Sequence, residues 1–255
     1  MTRPGRRRAS GPDTRNSTPL PENRGAGASA RLAPLVVRPA THDDLRVTAR
    51  SHVDLLPIGL FPLLGARFVR RWQRTFLDSR YGVGYVVVDT TAPADGIVGF
   101  LLGTTDQAAH MTALLTDRRA VASLTLAGVG ALMCRPRVAT RLLRSRAWPW
   151  VRQLRRRRAA GTPARPSAPA ARVAVMIALA VHPEWRGSGI GEALVARFVE
   201  DARRAGAGTA ELVTPTGPAG AASFYERLGW EAGPHRRTRD GDGLRGYRLS
   251  LHDTG

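Results

Sequence analysis

Cysteine and long apolar runs are scarce in this sequence, and each shortage excludes a class of protein. Cys134 is the single cysteine in 255 residues, which excludes an intrachain disulfide and a cysteine-rich metal site. We expect Cys134 to be a small buried side chain and not a nucleophile. The longest apolar stretch, residues 120–134, would cover about 22 Å as a helix, too short for a hydrocarbon core of ~30 Å. No apolar run follows the arginines at 6–8 as a secretion signal requires, so the expected location is the cytoplasm.

Lysine is absent altogether. All 39 basic residues are arginine, against 20 acidic residues, which gives a formal net charge of +19. The excess is local, because residues 1–32 carry +5 and residues 116–172 carry +13, whereas the rest of the chain carries +1. A protein whose whole surface binds nucleic acid would not usually distribute its charge in this way. We therefore expect a nearly neutral folded core, with the basic excess in a tail and one internal segment.

The remaining composition is that of a globular protein, with 43% hydrophobic and 23% charged residues. Residues 1–32 are rich in Arg, Gly, Pro and Ser and are expected to be disordered. We expect residues 33–255 to form a single domain, interrupted by an arginine-rich insert at 105–171 that combines a helical part with a Pro/Ala linker.

Periodic apolar patterns predict an α/β fold with strands in mixed directions. Predicted strands lie at 35–38, 83–89, 97–104, 172–181 and 211–214, and a final strand pair begins at Trp230. Helices are predicted after a capping-box-like segment at 41–44, at 60–78, from Ile190 to a stop at Gly206, and at 219–228. The helix after Ile190 is the clearest of these, because its apolar residues fall on one face.

The sharpest feature is VHPEWRGSGIG, from Val181 to Gly191, where a strand leads into a glycine-rich loop and a helix begins among the glycines. Glycine lets backbone N–H groups turn toward one point, and a helix N-terminus adds about half a positive charge there. Such a nest binds phosphate or pyrophosphate, and Arg186 could add a charge-assisted contact.

Other interpretations of this loop fit less well. A dinucleotide fingerprint counted from Gly187 would require glycine where Glu192 stands, and a P-loop requires lysine. A loop that merely turns explains the glycines but not the spacing Arg-x-x-Gly-x-Gly at a strand-to-helix junction. The loop is therefore interpreted as an anion-binding site.

These residues resemble the acyl-CoA motif of the GNAT superfamily of N-acetyltransferases, Gln/Arg-x-x-Gly-x-Gly/Ala, which Arg186, Gly189 and Gly191 match. Downstream, SFYERLGW at 223–230 looks like the family's FYxxLGF helix end. The resemblance covers about 35–104 and 172–251. It implies a mixed, splayed α/β sheet of about seven strands flanked by helices, with the insert between the third and fourth strands.

The resemblance also implies an acetyltransferase reaction that uses acetyl-CoA as cosubstrate and no metal. The pantetheine arm would lie between the strands at 172–181 and 210–214, and a backbone N–H there would polarise the thioester carbonyl. An amine would attack that carbonyl directly, and Tyr225 would protonate the leaving thiolate. The implied cofactor-binding residues are Leu179, Ala180 and Val181 for the pantetheine arm, and Arg186, Gly187, Ser188, Gly189, Ile190 and Gly191 for the pyrophosphate.

Two positions depart from the family's pattern. The family often has an asparagine seven residues before this tyrosine, where this sequence has Pro218, and many members have a glutamate on the fourth strand as general base, whereas residues 173–179 contain no acid. The base is left open among five residues that could reach the site, for each of which a solvated or capping role is the better interpretation. They are His42, His52, Asp54, Asp106 and His110.

The resemblance implies a small-molecule amine or a protein amine as acceptor and does not identify it. We expect the helical part of the insert, about 106–134, to shape the acceptor pocket. The arginines at 155–158 could meet nucleic acid or an anionic membrane, but a solvated excursion is the favoured interpretation. The alternative function is an acyl-CoA-binding protein without catalysis whose arginine-rich segments bind RNA or anionic membrane.

Overall fold

The fold is a seven-stranded sheet with helices on both faces, seen in a computed structural model that describes residues 35–92, 96–134, 171–217, 221–237, 241 and 243–252. The strands are β1 (Leu35–Pro39), β2 (Gly82–Asp89), β3 (Ile97–Thr104), β4 (Val173–Val181), β5 (Thr209–Pro215), β6 (Glu231–Arg237) and β7 (Gly243–Ser250). The helices are α1 (Leu45–Leu55), α2 (Leu60–Leu64), α3 (Ala66–Leu77), α4 (Gln107–Thr116), α5 (Arg118–Met133), α6 (Ile190–Arg204) and α7 (Ala222–Arg227). A 3₁₀ turn, Pro183–Trp185, precedes α6.

The strand order in the sheet is β1-β2-β3-β4-β5-β7-β6. Only β4 and β5 are parallel; every other neighbouring pair is antiparallel. Helices α4 and α5 fall between β3 and β4. The predicted mixed sheet of seven strands, with a helical insert between the third and fourth strands, is thus confirmed. Residues 1–32 and 155–158, for which we made predictions, lie outside the described residues.

The two faces of the sheet bury separate apolar clusters. One face packs against α6, whose Leu194 and Phe198 are fully buried, together with Tyr225 and Trp230 near α7. The other packs against α1 and α3, where Val69 is fully buried. Both helix faces follow from apolar residues spaced three and four apart.

A β-bulge at Ile177 changes which face of the sheet β4 presents. Gly103 pairs with Met176 but Leu102 pairs with Ala178, so Ile177 is the extra residue. Before the bulge, Met176 belongs to the cluster under α6; after it, Ala178 belongs to the cluster under α1 and α3. A single inserted residue has this effect because side chains alternate strictly along a strand.

Two local predictions are corrected by the structure. The helix predicted at 60–78 is two helices, since Gly65 between them has φ 86°, a left-handed conformation that an α-helix cannot contain. Cys134 was expected to be buried but is exposed, because it follows the last residue of α5, at a helix end that the described core does not cover.

The segment before α1 is held by one carboxylate. Asp44 accepts hydrogen bonds from the Thr41 N–H at 2.7 Å and from two Arg38 nitrogens at 2.7 and 2.8 Å. Burial alone would raise the pKa of Asp44, but the bonds from Arg38 and Thr41 outweigh it and the pKa is lowered. The predicted cap is therefore formed by the Asp44 carboxylate, which accepts a hydrogen bond from the Thr41 N–H three residues earlier.

Candidate functional site

The site is built where two parallel strands separate. β4 and β5 are paired from Val173 opposite Thr209 to Met176 opposite Leu212. Beyond that point β4 continues to Val181, paired with β3 alone, and β5 continues to Pro215, paired with β7. The β5-facing edge of residues 177–181 therefore has no ladder partner among the described residues. An extended ligand could hydrogen-bond to this backbone as a strand would.

The loop after β4 is fixed by its own hydrogen bonds. His182 N–H donates to Val98 C=O at 2.8 Å, and Trp185 N–H donates back to His182 C=O at 2.9 Å. The Ser188 hydroxyl donates to Trp185 C=O at 2.6 Å. Gly187 and Gly189 have φ of 79° and 85°, the left-handed region in which glycine is unstrained. These contacts place the start of α6 directly beyond the end of β4.

Unused backbone donors gather at this junction. The first hydrogen bond of α6 runs from Ala193 N–H to Gly189 C=O. Among the described residues, no acceptor pairs with the N–H groups from Gly187 to Glu192. A helix start with free N–H groups attracts anions, because the helix dipole adds partial positive charge there.

Arg186 lies over the same junction. Its Nε donates to Val181 C=O at 3.3 Å, and the side chain is exposed. No carboxylate of the described residues pairs with this guanidinium, so its remaining N–H donors are free to bind an anion.

Gly191 and Ile190 have a packing role that the sequence motif did not reveal. A Cβ at Gly191 would lie 3.2 Å from Cζ of Phe224, so glycine lets α6 approach the helix that carries Tyr225. Ile190 is buried and faces Gly99 of β3, where an added Cβ would lie 3.1 Å from Ile190 Cγ2. The glycine motif thus fixes the position of α7 as well as the loop.

Tyr225 lies at the point of strand separation. Its ring is buried among Phe224, Trp230 and Tyr247, with centroids 5.0 to 5.9 Å away. Its hydroxyl lies 4.0 Å from Sδ of Met176, the last residue of β4 that pairs with β5. Burial raises the pKa of Tyr225, so its hydroxyl stays protonated at neutral pH.

Three of the five candidate bases are engaged in contacts of their own. Asp106 caps α4 by accepting from Ala109 N–H at 3.0 Å, and it lies 3.8 Å from Arg172, just before β4 begins. Four residue steps, about 13 Å along the strand, separate Arg172 from Met176, where the Tyr225 hydroxyl lies. His110 is buried on α4 and stacks on Phe76. His42 is exposed and pairs with Asp78 at 2.8 Å.

His52 packs on β3, close to the carboxyl end of β4. Its buried ring lies 6.1 Å from that of Phe100, which pairs with Ala180. Burial lowers the pKa of His52 to about 4, so the imidazole is neutral at physiological pH. Asp54, two residues later, is exposed. Among the described residues, no hydrogen bond joins any of the five candidates to Tyr225 or to the loop 182–191.

The structure places other predicted features only in part. Pro218 lies outside the described residues. In the part of the chain that is described, no three His, Cys, Asp or Glu side chains are grouped to hold a metal ion. Within the same residues, no helix is both long and apolar enough to cross a membrane.

Comparisons with known proteins agree with this architecture. The family profile described as acetyltransferase (GNAT) domain matches residues 150–232. No curated protein matches the chain in sequence. Among solved structures, Arabidopsis thaliana NAA60 in complex with acetyl-CoA is similar with a TM-score of 0.52 and 13% identity, over 85% of this chain and 98% of that one. An N-acetyltransferase from Staphylococcus aureus Mu50 has a TM-score of 0.50 and 12% identity, over 86% and 99%. At these identities the structures show a common fold, and the GNAT acetyltransferase domain is indicated by the profile match to residues 150–232.

Proposed function

We propose that this protein transfers an acetyl group from acetyl-CoA to the amine of a small molecule or protein. The observation that carries the proposal is the position of Tyr225: its protonated hydroxyl lies where β4 leaves β5. Beside it is a strand edge that leads to a helix start, and neither the edge nor the helix-start N–H groups have a partner among the described residues. A similar fold in Arabidopsis NAA60 was solved with acetyl-CoA and with a bisubstrate analogue, which supports this choice of cosubstrate.

The described residues fit the two polar parts of acetyl-CoA. The pyrophosphate would accept hydrogen bonds from the N–H groups of Gly187 to Gly191 and from the Arg186 guanidinium. The amide groups of the pantetheine arm would pair with the free edge of Leu179, Ala180 and Val181. Apart from the existing bond between Arg186 Nε and Val181 C=O, both contacts use backbone groups that have no partner among the described residues, so binding replaces few hydrogen bonds.

The same geometry directs the thioester toward Tyr225. A pantetheine arm that runs along β4 from the loop toward Met176 brings its sulfur end to the strand junction, where the Tyr225 hydroxyl lies. A backbone N–H of the free β4 edge would hydrogen-bond to the thioester carbonyl oxygen and stabilise the negative charge that develops there.

The transfer is a direct displacement. The amine nitrogen forms a bond to the acetyl carbon, the carbon–sulfur bond breaks, and the sulfur leaves with the electron pair. Tyr225 donates its phenolic proton to that sulfur, and the amine gives up one proton to a base that the structure leaves unassigned. Burial of the Tyr225 ring keeps the phenol neutral until the sulfur carries charge.

An amine-library screen that follows release of the CoA thiol tests the proposal. Turnover should require both acetyl-CoA and an amine, and mass spectrometry should find the acetyl group on the amine product. The matched control is Tyr225→Phe, which removes the hydroxyl alone. Binding of acetyl-CoA without acetylation of any amine would favour the alternative, an acyl-CoA-binding protein without catalysis.

A further inference from the structure

One side of α5 is apolar and exposed, with no described residue packed against it. Leu124 and Ala127, with Ala131 and Leu132, face the core under α1 and α3, and Gly128 lies 3.6 Å from the ring of Phe68. The opposite side, here called the outer face of α5, consists of four exposed residues spaced for one helical face: Ala122, Leu126, Val129 and Met133. The helix therefore carries apolar residues on two sides, of which the core covers one.

The exposure of this face is high for side chains of this kind. Leu126 is 71% exposed, Val129 51% and Met133 80%. Of the ten large hydrophobic side chains that are exposed in the described residues, six lie between positions 111 and 133. Single exposed apolar residues are ordinary on a protein surface, but a concentration of this kind marks an interaction surface.

Positive charges at the start of α5, and in the sequence after it, indicate which kind of partner the outer face binds. α5 begins with Arg118 and Arg119, both exposed. The sequence that follows α5, residues 135–170, contains eleven arginines and no acidic residue. An exposed apolar helix face adjoined by positive charge complements one surface in particular, a lipid bilayer with anionic headgroups.

We propose that the outer face of α5 docks onto an anionic membrane, with α5 parallel to the membrane plane. Leu126, Val129 and Met133 enter the boundary between headgroups and acyl chains, while Arg118 and Arg119 contact phosphate groups. The opposite side of α5 stays on α3, so docking needs no unfolding of the core. The solvated interpretation that the sequence favoured concerns the arginines at 155–158, outside the described residues; the proposal rests on the outer face of α5 with Arg118 and Arg119.

Two other occupants fit the charges less well. A second copy of the chain carries the same net charge of +19, which opposes association. RNA would be attracted by the arginines, but it offers no apolar partner for Leu126 and Met133. Both occupants are outcomes of the test below.

Vesicle co-sedimentation of the full chain at physiological salt tests the proposal. Wild-type protein should bind phosphatidylcholine–phosphatidylserine vesicles and bind pure phosphatidylcholine at least about tenfold more weakly. The variant Leu126→Gln/Val129→Gln/Met133→Gln keeps every charge and should lower binding to the mixed vesicles about tenfold or more, since three apolar side chains no longer enter the bilayer. The matched control is Val36→Gln/Val37→Gln, which removes two exposed apolar side chains on β1 and should bind as wild type. Circular dichroism and the unfolding temperature check that each variant is folded.

Three results would overturn the proposal. Equal binding of wild type and the triple variant to mixed vesicles would mean that charge alone acts. Loss of polyuridine binding in the triple variant, with vesicle binding kept, would assign the face to RNA. A wild-type dimer that becomes a monomer in the triple variant, measured by sedimentation velocity without lipid, would assign the face to a second copy.

Discussion

The Tyr225 hydroxyl lies 4.0 Å from Sδ of Met176, and Met176 is the last residue that β4 pairs with β5. The phenol carried by α7 therefore contacts the end of the parallel strand pair. The bulge at Ile177 follows directly, so Met176 faces the cluster under α6 whereas Ala178 faces the cluster on the other side of the sheet. The position of the proposed acid is therefore fixed by the sheet as well as by its own helix.

Replacing Tyr225 with phenylalanine should lower kcat by roughly 10- to 1,000-fold, because the leaving thiolate loses its proton donor. Affinity for acetyl-CoA, measured by calorimetry, should change little. Tyr247→Phe is the matched control: its ring lies in the same cluster, but its hydroxyl donates to Glu226 Oε1 at 3.1 Å. Equal kcat values for the two variants would contradict the assigned role and leave Tyr225 as a packing residue.

Gly189→Val should weaken acetyl-CoA binding strongly, because a side chain with φ near 85° strains the loop that presents the free N–H groups. A Cβ at this position meets no other atom within 4 Å, so the expected loss of stability is the backbone strain alone, about 1–2 kcal/mol.

Gly206→Val controls for that strain. Gly206 has φ 75° and lies just beyond the other end of α6. Calorimetry of acetyl-CoA binding and urea unfolding should give similar stability losses for the two variants, and lower affinity for Gly189→Val only. Equal affinities in folded proteins would remove the loop from the site.

Local sequence signals predicted the parts of this site that depend on local conformation. The strand, loop and helix from Arg172 to Gly206 could be predicted because glycines with positive φ and a one-sided apolar helix leave direct marks in the sequence. The packing role of Gly191 could not be predicted in this way, since it depends on Phe224, which lies more than thirty residues away in the sequence.

Contacts between distant segments explain the remaining differences. Asp106 and His110 were among the five candidate bases, and the pairing of Thr104 with Val175 places α4 beside the start of β4. The predicted role of residues 106–134 in an acceptor pocket stays a prediction for α5, which packs on α3. The pairing register of the strands decides where a helix such as α4 lies, and the identity of single residues does not reveal that register.

Asp44→Asn should destabilise the protein by about 1–3 kcal/mol, because Arg38 loses its charged partner and the Thr41 N–H a strong acceptor. Asp43→Asn changes the neighbouring carboxylate, which is exposed, and should stay within about 0.5 kcal/mol of wild type. Urea unfolding at neutral pH measures both. Similar stabilities of the two variants would show that the bonds of Asp44 contribute little.

The buried His52 should make the protein sensitive to mild acid. Its pKa is lowered to about 4 in the fold, against about 6.5 when the chain is unfolded. Above pH 6.5 the imidazole is neutral in both states, so its contribution to stability is fully present there. As the pH falls from 6.5 to 4, the unfolded chain binds a proton that the folded protein does not, and stability is lost.

The expected loss from His52 is about 3 kcal/mol between pH 7 and pH 4. Urea unfolding across this range should give a shallower pH dependence for His52→Phe than for wild type, whatever the effect of the substitution at pH 7. Part of the dependence should persist, since burial also lowers the pKa of His110. His42→Gln, which alters an exposed histidine paired with Asp78, should keep the steep wild-type dependence. If His52→Phe and wild type lose stability in parallel, the imidazole is reached by solvent or by a proton acceptor, and its burial does not control the acid response.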